Sequence, residues 1–196
     1  MEGRGTAWVL SRLAIEVIDT EGLTASIRVS TWAEAVERIF IKRCFEVTSA
    51  AAGKPLAYAR SIWAAIDKNT RRPTSLVGAW ADRMMVPDRH CPVEIAGRIA
   101  AAEEAPDNEP TTRIRYSDLD INGHLNSIRH MEAMLDGFDL ETYRTMRVQH
   151  FEISYHAEGR YGTPLALFRR KLEPGAFACA LVDGDRAVSR ALIRFV

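Results

Sequence analysis

Apolar and polar residues alternate along much of the chain, and this alternation predicts two groups of four β-strands. In the N-terminal part the predicted strands are Trp8–Val17, Ala25–Trp32, Arg38–Val47 and Leu56–Asp67. In the C-terminal part they are Thr145–Tyr155, Pro164–Leu172, Phe177–Val182 and Ala187–Phe195. Short turns separate successive strands, so each group is expected to form an antiparallel sheet.

A segment of different composition separates the two groups of strands. Residues 79–110 combine helix-favouring residues with four prolines, and they are predicted to form a partly ordered connector. The chain is therefore predicted to consist of an N-terminal unit at residues 1–78, this connector, and a C-terminal unit at residues 111–196.

The C-terminal unit is predicted to contain one helix ahead of its four strands. A short alternating segment, Arg113–Tyr116, predicts a strand, and the apolar residues that follow recur at a spacing of three and four. Leu125, Ile128 and Leu135 share one helix face, which Met131 or Glu132 completes. The helix is therefore expected to bury one stripe against the sheet.

The two halves of the chain look like copies of one unit. A shift of 138 positions places Leu13 and Ile15 on Phe151 and Ile153, within the same alternating pattern. The N-terminal copy has only the four strands, and nothing in it matches the opening strand and helix. Its sheet would expose an apolar face, so we expect either a longer protein that begins earlier or pairing with another subunit.

The candidate site is a polar corner, Asp118–His124, between the predicted short strand and the predicted helix. Asp120, Asn122 and His124 occupy every second position there. In extended or loop backbone this spacing points all three side chains the same way, whereas a helix would scatter them. A carboxylate, an amide and an imidazole would then converge near helix N–H groups, which favour developing negative charge. The pattern predicts an active site.

Two other interpretations of the corner were considered. Asp and Asn residues are common in turns and as helix caps, and Asn122 or Asp120 would be the cap. A calcium-binding EF-hand loop would use Asp118, Asp120 and Asn122, but its twelfth position is Arg129, which supplies no oxygen ligand. The preceding segment also reads as a strand where an EF-hand needs a helix. The calcium interpretation is therefore rejected.

Composition narrows the range of functions. Twenty-six basic residues balance twenty-six acidic residues, so the net charge does not favour nucleic acid as a partner. No run approaches the roughly 18 apolar residues of a membrane span, and the first residues lack a signal-peptide core, so the expected location is the cytoplasm.

Cys44, Cys91 and Cys179 are widely spaced and odd in number, which predicts buried core residues. The histidines other than His124 are interpreted as surface or packed residues.

The corner resembles a known family signature. Residues 116–126 read Tyr-Ser-Asp-Leu-Asp-Ile-Asn-Gly-His-Leu-Asn. They are similar to the Ser-Asp-Leu-Asp-x-Asn-x-His-x-Asn signature of plant and bacterial acyl-acyl carrier protein thioesterases, where it opens the second of two hot-dog domains. Further similarity lies at Trp8–Arg12, Ser30–Trp32, Ala59–Trp63 and Thr70–Pro73. The resemblance covers most of the chain and implies an α+β tandem hot-dog fold, in which antiparallel sheets wrap central helices and the first hot-dog lacks its N-terminal strand and helix.

The resemblance also implies an activity. In that family the Asp, Asn and His of the corner act with a Glu on a following strand, and Tyr155–Glu158 resembles the family's Tyr-x-x-Glu. The implied catalytic residues are Asp120, Asn122, His124 and Glu158. Many plant members have Cys after this Glu, whereas this chain has Gly159. The sequence does not assign the general base among Glu158, Asp120 and His124.

The implied function is the hydrolysis of fatty acyl thioesters without a metal or cofactor. Acyl-acyl carrier protein is the expected substrate, and a free fatty acid is the expected product, in fatty acid biosynthesis. The alternatives are an acyl-CoA thioesterase that uses the same site and a non-catalytic acyl-thioester-binding protein. A homo-oligomer is the expected way to cover the apolar sheet face if no further segment does so.

Overall fold

The computed structural model describes residues 5–20, 26–75, 85–86, 88–102 and 108–196, without the side chains of 108–112. The chain divides into two compact units, the first ending at Ile95 and the second beginning at Ala96. The predicted connector, residues 79–110, falls partly outside the described residues. The domain boundaries given above therefore stay a prediction.

The first unit is a four-stranded antiparallel sheet. Its strands are β1 (Thr6–Val17), β2 (Ile27–Val36), β3 (Phe40–Ser49) and β4 (Pro55–Asp67). They lie in the order β2-β3-β4-β1, and each neighbouring pair is antiparallel. All four strands predicted for this part are confirmed, except that Ala25, the predicted start of the second, lies outside the described residues.

One face of this sheet is covered by residues that follow the strands in sequence. Ala14, Trp32 and Cys44 are buried there together with Cys91 and Val93. This packing places apolar side chains from three strands against a segment without regular structure. The prediction that the cysteines are buried core residues is confirmed, since all three in the chain are buried free thiols.

The second unit is a five-stranded sheet with two helices. Its strands are β5 (Asn108–Arg113), β6 (Val148–Tyr155), β7 (Pro164–Glu173), β8 (Ala176–Asp183) and β9 (Arg186–Phe195). Its helices are α1 (Ser127–Leu135) and α2 (Leu140–Thr145). The strand order is β6-β9-β8-β7-β5, and α1 packs against β8 at the centre of the sheet. One strand, a central helix and four further strands are the elements of a hot-dog unit, as predicted.

Two local predictions for this unit are wrong. Arg113–Tyr116 is not a strand, because β5 ends at Arg113 and a turn of 3₁₀-helix occupies Tyr116–Asp118. The strand predicted from Thr145 begins only at Val148, because the short helix α2 comes first. The Asp139 side chain caps α2 by accepting a hydrogen bond from the Thr142 N–H at 2.7 Å. A six-residue helix is too short to leave a clear periodic pattern.

The two units share a strand arrangement but differ in how one sheet face is covered. The order β2-β3-β4-β1 in the first matches β7-β8-β9-β6 in the second, which supports duplication. Leu165 and Leu167 on β7 are 1% and 6% exposed, and Leu167 lies against the backbone just after α1. At the corresponding positions of β2, Ile27 and Val29 are 44% and 58% exposed. The described residues of the first unit include no helix.

His130 is buried inside the second unit, on the inner face of α1. The side chain is 3% exposed, and its Nδ1 atom lies 3.0 Å from Ser189 Oγ on β9. The ring meets Tyr155 edge-on, with 5.2 Å between ring centres. Burial lowers the pKa of His130 from 6.5 to about 4, and a hydrogen bond to the Leu125 carbonyl opposes this shift only in part. The imidazole is therefore neutral at physiological pH.

Within the part of the chain that the structure describes, no helix is long and apolar enough to span a membrane.

We expect the buried His130 to make the protein less stable in acid. The folded protein protonates this ring only near pH 4, while the unfolded chain does so near pH 6.5, so protons favour the unfolded state across that window. The free energy of unfolding should fall by about 3 kcal/mol over this range from this group alone. Urea unfolding of the wild type and of His130→Gln between pH 7 and pH 4 measures this contribution. A difference between the two proteins that does not change with pH would contradict it.

Candidate active site

The polar corner is organised around the carboxylate of Asp120. One oxygen, Oδ1, accepts hydrogen bonds from the backbone N–H groups of Asn122 at 2.8 Å and His124 at 3.1 Å. The other oxygen, Oδ2, accepts from the Asn122 side-chain amide at 3.2 Å. The Asp120 N–H also donates to the His124 carbonyl at 2.8 Å, which closes the loop. Asp120 thus fixes the backbone that carries His124.

These contacts also set the charge of Asp120. Partial burial alone would raise the pKa of this carboxyl, but the hydrogen bonds from His124 and Asn122, together with the His124 charge, lower it below its usual value. Asp120 is therefore an anion whose oxygens are occupied by donors of its own loop. This geometry suits a residue that holds the loop better than one that takes a proton from a reactant.

The helix that follows the corner is capped by Asn126. Its Oδ1 atom accepts a hydrogen bond from the Ile128 N–H at 3.0 Å, which satisfies one of the free N–H groups at the start of α1. The suggestion that Asn122 or Asp120 is the cap is therefore wrong. Both lie earlier, in a separate turn that Gly123 completes with a φ of 77°.

His124 and Glu158 come together at this corner from distant parts of the sequence. The Nε2 atom of His124 lies 3.2 Å from Oε2 of Glu158. The two side chains are 29% and 36% exposed, so a small reactant can reach them. Of the four candidate residues, these two face each other, while Asp120 and Asn122 bond to one another within the loop.

The backbones on either side of this pair are joined directly. The Leu125 N–H donates to the Gly159 carbonyl at 2.9 Å, and His124 forms a bridge to Arg160. His124 directly precedes the donor of this hydrogen bond, and Glu158 directly precedes its acceptor. The distance between the two side chains depends on that contact.

Close approach at Gly159 leaves no room for a side chain. A Cβ atom there would lie 2.7 Å from Ile114 Cδ1 and 3.0 Å from Leu125 Cβ, which is closer than ordinary packing allows. A side chain at this position would thus require Ile114 and Leu125 to shift. The cysteine that many plant members of the resembled family carry would not fit here without a shift of these neighbours.

A pocket of about 400 Å³ lies beside the corner, between α1 and the end of β5. Its apolar floor includes Ile114, Leu125 and Leu165, and its charged rim includes Arg129 and Asp118. Arg129 is held in this rim by Glu132 and Asp118, at 2.5 Å and 3.7 Å. Leu125, the residue that follows His124, also lines this pocket.

The site offers an imidazole and a carboxylate in contact, and this pair can hold and deprotonate a water molecule. In the described part of the chain, no three His, Cys, Asp or Glu side chains are grouped so as to hold a metal ion. The chemistry that these side chains support is acid–base chemistry on a small polar reactant.

The sequence-based interpretation missed the contacts of two residues in the second unit. His130 is a packed residue, as predicted, and its ring contacts Ser189 and Tyr155. The hydroxyl of Tyr155 donates to the Ser127 carbonyl at 3.1 Å, tying the start of α1 to the strand before Glu158. Such contacts join different elements. The spacing of residues within a single helix or strand therefore does not predict them.

Comparison with protein families gives two matches that together cover most of the chain. Residues 1–81 match the acyl-ACP thioesterase N-terminal domain, and residues 101–186 match the acyl-ACP thioesterase C-terminal domain. A chloroplastic oleoyl-acyl carrier protein thioesterase from Arabidopsis thaliana is 25% identical over 167 residues, or 77% of this chain and 44% of the relative. An acyl-[acyl-carrier-protein] hydrolase from Cuphea viscosissima is 22% identical over 97% of this chain and 46% of its own length. The chain therefore spans less than half the length of these relatives.

Solved structures share the fold of the whole chain. An acyl-ACP thioesterase from Bacteroides thetaiotaomicron superposes with a TM-score of 0.84 and 36% identity, covering 98% of this chain and 77% of the other. A 12:0-ACP thioesterase from Umbellularia californica superposes with a TM-score of 0.83 and 19% identity, covering 100% and 77%. The predicted tandem hot-dog fold is confirmed by these matches.

We expect Gly159→Cys to destabilise the protein by about 1–3 kcal/mol, the usual cost of forcing extra atoms into a packed site. The new Cβ atom would press on Ile114 and on Leu125. Gly97→Cys is the matched control, because no atom lies within 4 Å of the Cβ position there. Thermal unfolding of both variants tests the point, and equal melting temperatures would show that the packing at Gly159 has room to relax.

Proposed function

The chain belongs to the acyl-ACP thioesterase family, and from this premise we propose that it hydrolyses fatty acyl thioesters. The substrate proposed is acyl-acyl carrier protein, and the products are a free fatty acid and the carrier's thiol. The observation that carries the proposal is the contact of 3.2 Å between His124 and Glu158 at a corner open to small reactants. Fatty acid biosynthesis is the corresponding process.

Thioester hydrolysis makes modest demands on a protein. Water adds to the carbonyl carbon, an oxyanion forms, and the carbon–sulfur bond then breaks to release a thiolate. With a thiol pKa of roughly 8.5, the leaving group needs little help from an acid. The protein must supply a general base for the water and hydrogen-bond donors for the oxyanion.

We assign these roles from the contacts at the corner. Glu158 accepts the proton of the attacking water, and it passes this proton to the departing thiolate when the intermediate collapses. His124 donates through Nε2 to the Glu158 carboxylate and so orients its second oxygen toward the water. Asp120 holds the His124 backbone in place, as its hydrogen bonds indicate. Asn122, which is exposed and bonded to Asp120, supports the same loop.

The surface around the corner has the charge expected of a docking site for an acidic carrier protein. Arg113, Arg115 and Arg160 are exposed beside it, and Arg113 donates to the Gly162 carbonyl of the adjacent turn at 2.9 Å. Tyr116 also projects into solvent next to these cations. Positive charge with an exposed aromatic side chain favours docking of an acidic protein that presents an apolar group. The predicted cytoplasmic location and homo-oligomeric state stay predictions.

We expect Glu158→Gln and His124→Ala each to lower kcat by roughly 100-fold or more, the scale of lost acid–base groups. Hydrolysis of matched acyl-carrier-protein and acyl-CoA thioesters by the purified chain measures this. The control variants are Glu141→Gln, an exposed acid on α2, and His90→Ala, an exposed histidine of the first unit. Both controls should retain wild-type turnover.

The same experiment separates the alternative functions. Faster turnover of acyl-CoA than of the carrier-protein thioester would make the chain an acyl-CoA thioesterase at the same site. Binding of both thioesters without hydrolysis would make it an acyl-thioester-binding protein. Full activity in both site variants would exclude the proposed catalytic pair.

We also expect thiol-directed alkylation of the folded protein to leave activity intact. The reactive species is the thiolate, and burial raises the pKa of Cys44 and of Cys179 to about 12. Cys91 is also buried. Activity after iodoacetamide treatment at neutral pH, with alkylation followed by mass spectrometry, tests this. Loss of activity in step with modification of one thiol would point to a cysteine nucleophile instead.

A further inference from the structure

Three large side chains project into solvent from the segments that form the candidate site. Tyr116 and Tyr161 are 85% and 70% exposed, and Ile121, at the tip of the polar corner, is fully exposed. Removing apolar surface from water is favourable, so exposed apolar and aromatic side chains that stand together mark a surface for a partner. These three side chains are termed the exposed patch.

Backbone hydrogen bonds hold the first and last members of the patch on neighbouring segments. The N–H of Ile114 donates to the Thr163 carbonyl, and the Ile114 carbonyl accepts from the Gly162 N–H, both at 2.9 Å. Tyr116 follows Ile114 by two residues, and Tyr161 directly precedes Gly162. The two tyrosines therefore stand on paired stretches of chain.

The tip of the polar corner is joined to the same turn. Arg160, which directly precedes Tyr161, forms a bridge with His124, and His124 ends the short loop that carries Ile121. All three members of the patch thus lie on segments that are bonded to one another. The patch stands beside the His124–Glu158 pair, which a thioester has to reach.

The most exposed charges of these segments are mainly positive. Arg113, Arg115 and Arg160 are exposed. Asp118 and Asp120 are half-buried and accept hydrogen bonds from backbone N–H groups of their own segments. The third acid, Glu158, is paired with His124. A surface with this charge attracts an acidic partner.

We propose that the exposed patch contacts the carrier protein and makes the chain prefer carrier-bound over CoA-bound acyl thioesters. This inference rests on the proposed function, since it assigns a partner surface to the same site. The arginines attract both substrates, because CoA carries phosphates and the carrier protein is acidic. A protein surface can cover three side chains that stand on separate segments, whereas CoA is a small ligand. Burial of the patch therefore favours the carrier protein.

A lipid surface is the other kind of partner that exposed apolar side chains and arginines attract. The position of the patch favours the carrier protein, because a lipid surface held against it would cover the approach to His124 and Glu158 that a carrier-bound substrate has to use. Binding to lipid is one of the outcomes that the test separates.

The first test compares two substrates with the same acyl chain. Ile121→Ser should raise KM for the acyl-carrier-protein thioester roughly 10-fold, the scale of losing one main contact of an interface, while KM for acyl-CoA changes by less than about 2-fold. The matched control is Ile18→Ser, a 51% exposed isoleucine of the first unit, which should change neither KM.

A second variant covers damage to the loop itself. Ile121 stands between Asp120 and Asn122, so a distorted loop would lower kcat with both substrates. Tyr161→Ser changes the patch outside this loop, and it should raise KM for the carrier-protein thioester alone. An equal change of KM for both substrates in Tyr161→Ser, or no change for either, would overturn the proposal.

Direct binding of purified holo-acyl carrier protein, measured by calorimetry, tests the surface without turnover. Its Kd should rise roughly 10-fold in Ile121→Ser and in Tyr161→Ser and stay unchanged in Ile18→Ser. If the wild type hydrolyses no thioester, the proposed function fails while this readout still decides the role of the patch. Cosedimentation of the wild type with phosphatidylglycerol vesicles that is lost in Ile121→Ser, with carrier binding unchanged, would overturn the proposal in favour of a lipid surface.

Discussion

One hydrogen bond, from the Leu125 N–H to the Gly159 carbonyl, joins the two stretches of chain that carry the site. The stretch before α1 is ordered by Asp120, whose carboxylate accepts hydrogen bonds from backbone N–H groups of its own loop. The stretch after β6 is extended and is anchored through Tyr155 to the start of α1. The polar corner and the end of β6 are held together by this bond and by the bond from Tyr155 to the start of α1.

The sequence predicted the elements well where one periodic pattern was enough. Alternation located all eight long strands, and the three-and-four spacing located α1, because each pattern reflects burial on one face of one element. The short helix α2 and the 3₁₀ turn at Tyr116–Asp118 did not emerge, since their bounds depend on a cap at Asp139 and on the bond from the Arg115 N–H to Asp118. Local hydrogen bonds set the bounds of these two elements, and the pattern of apolar and polar residues does not predict such bonds.

The internal arrangement of the candidate site was not predictable from the sequence, and the roles of its residues stay a prediction. The every-second-residue spacing suggested that Asp120, Asn122 and His124 converge, yet His124 meets Glu158, while Asp120 and Asn122 bond to each other. Folding the backbone into a turn changed the direction of each side chain. The contacts of the buried His130 could not be inferred, because its partners Ser189 and Tyr155 lie on separate strands far along the chain.

The tight packing at Gly159 also bears on how such a site can change during evolution. Ile114 and Leu125 occupy the space that a side chain would need, so a cysteine introduced here requires both side chains to shift. A smaller residue at position 114 would free this space, but it would cost core packing because Ile114 is buried. Substitutions at Gly159 and at Ile114 are therefore expected to be coupled, so that the effect of one depends on the residue at the other position.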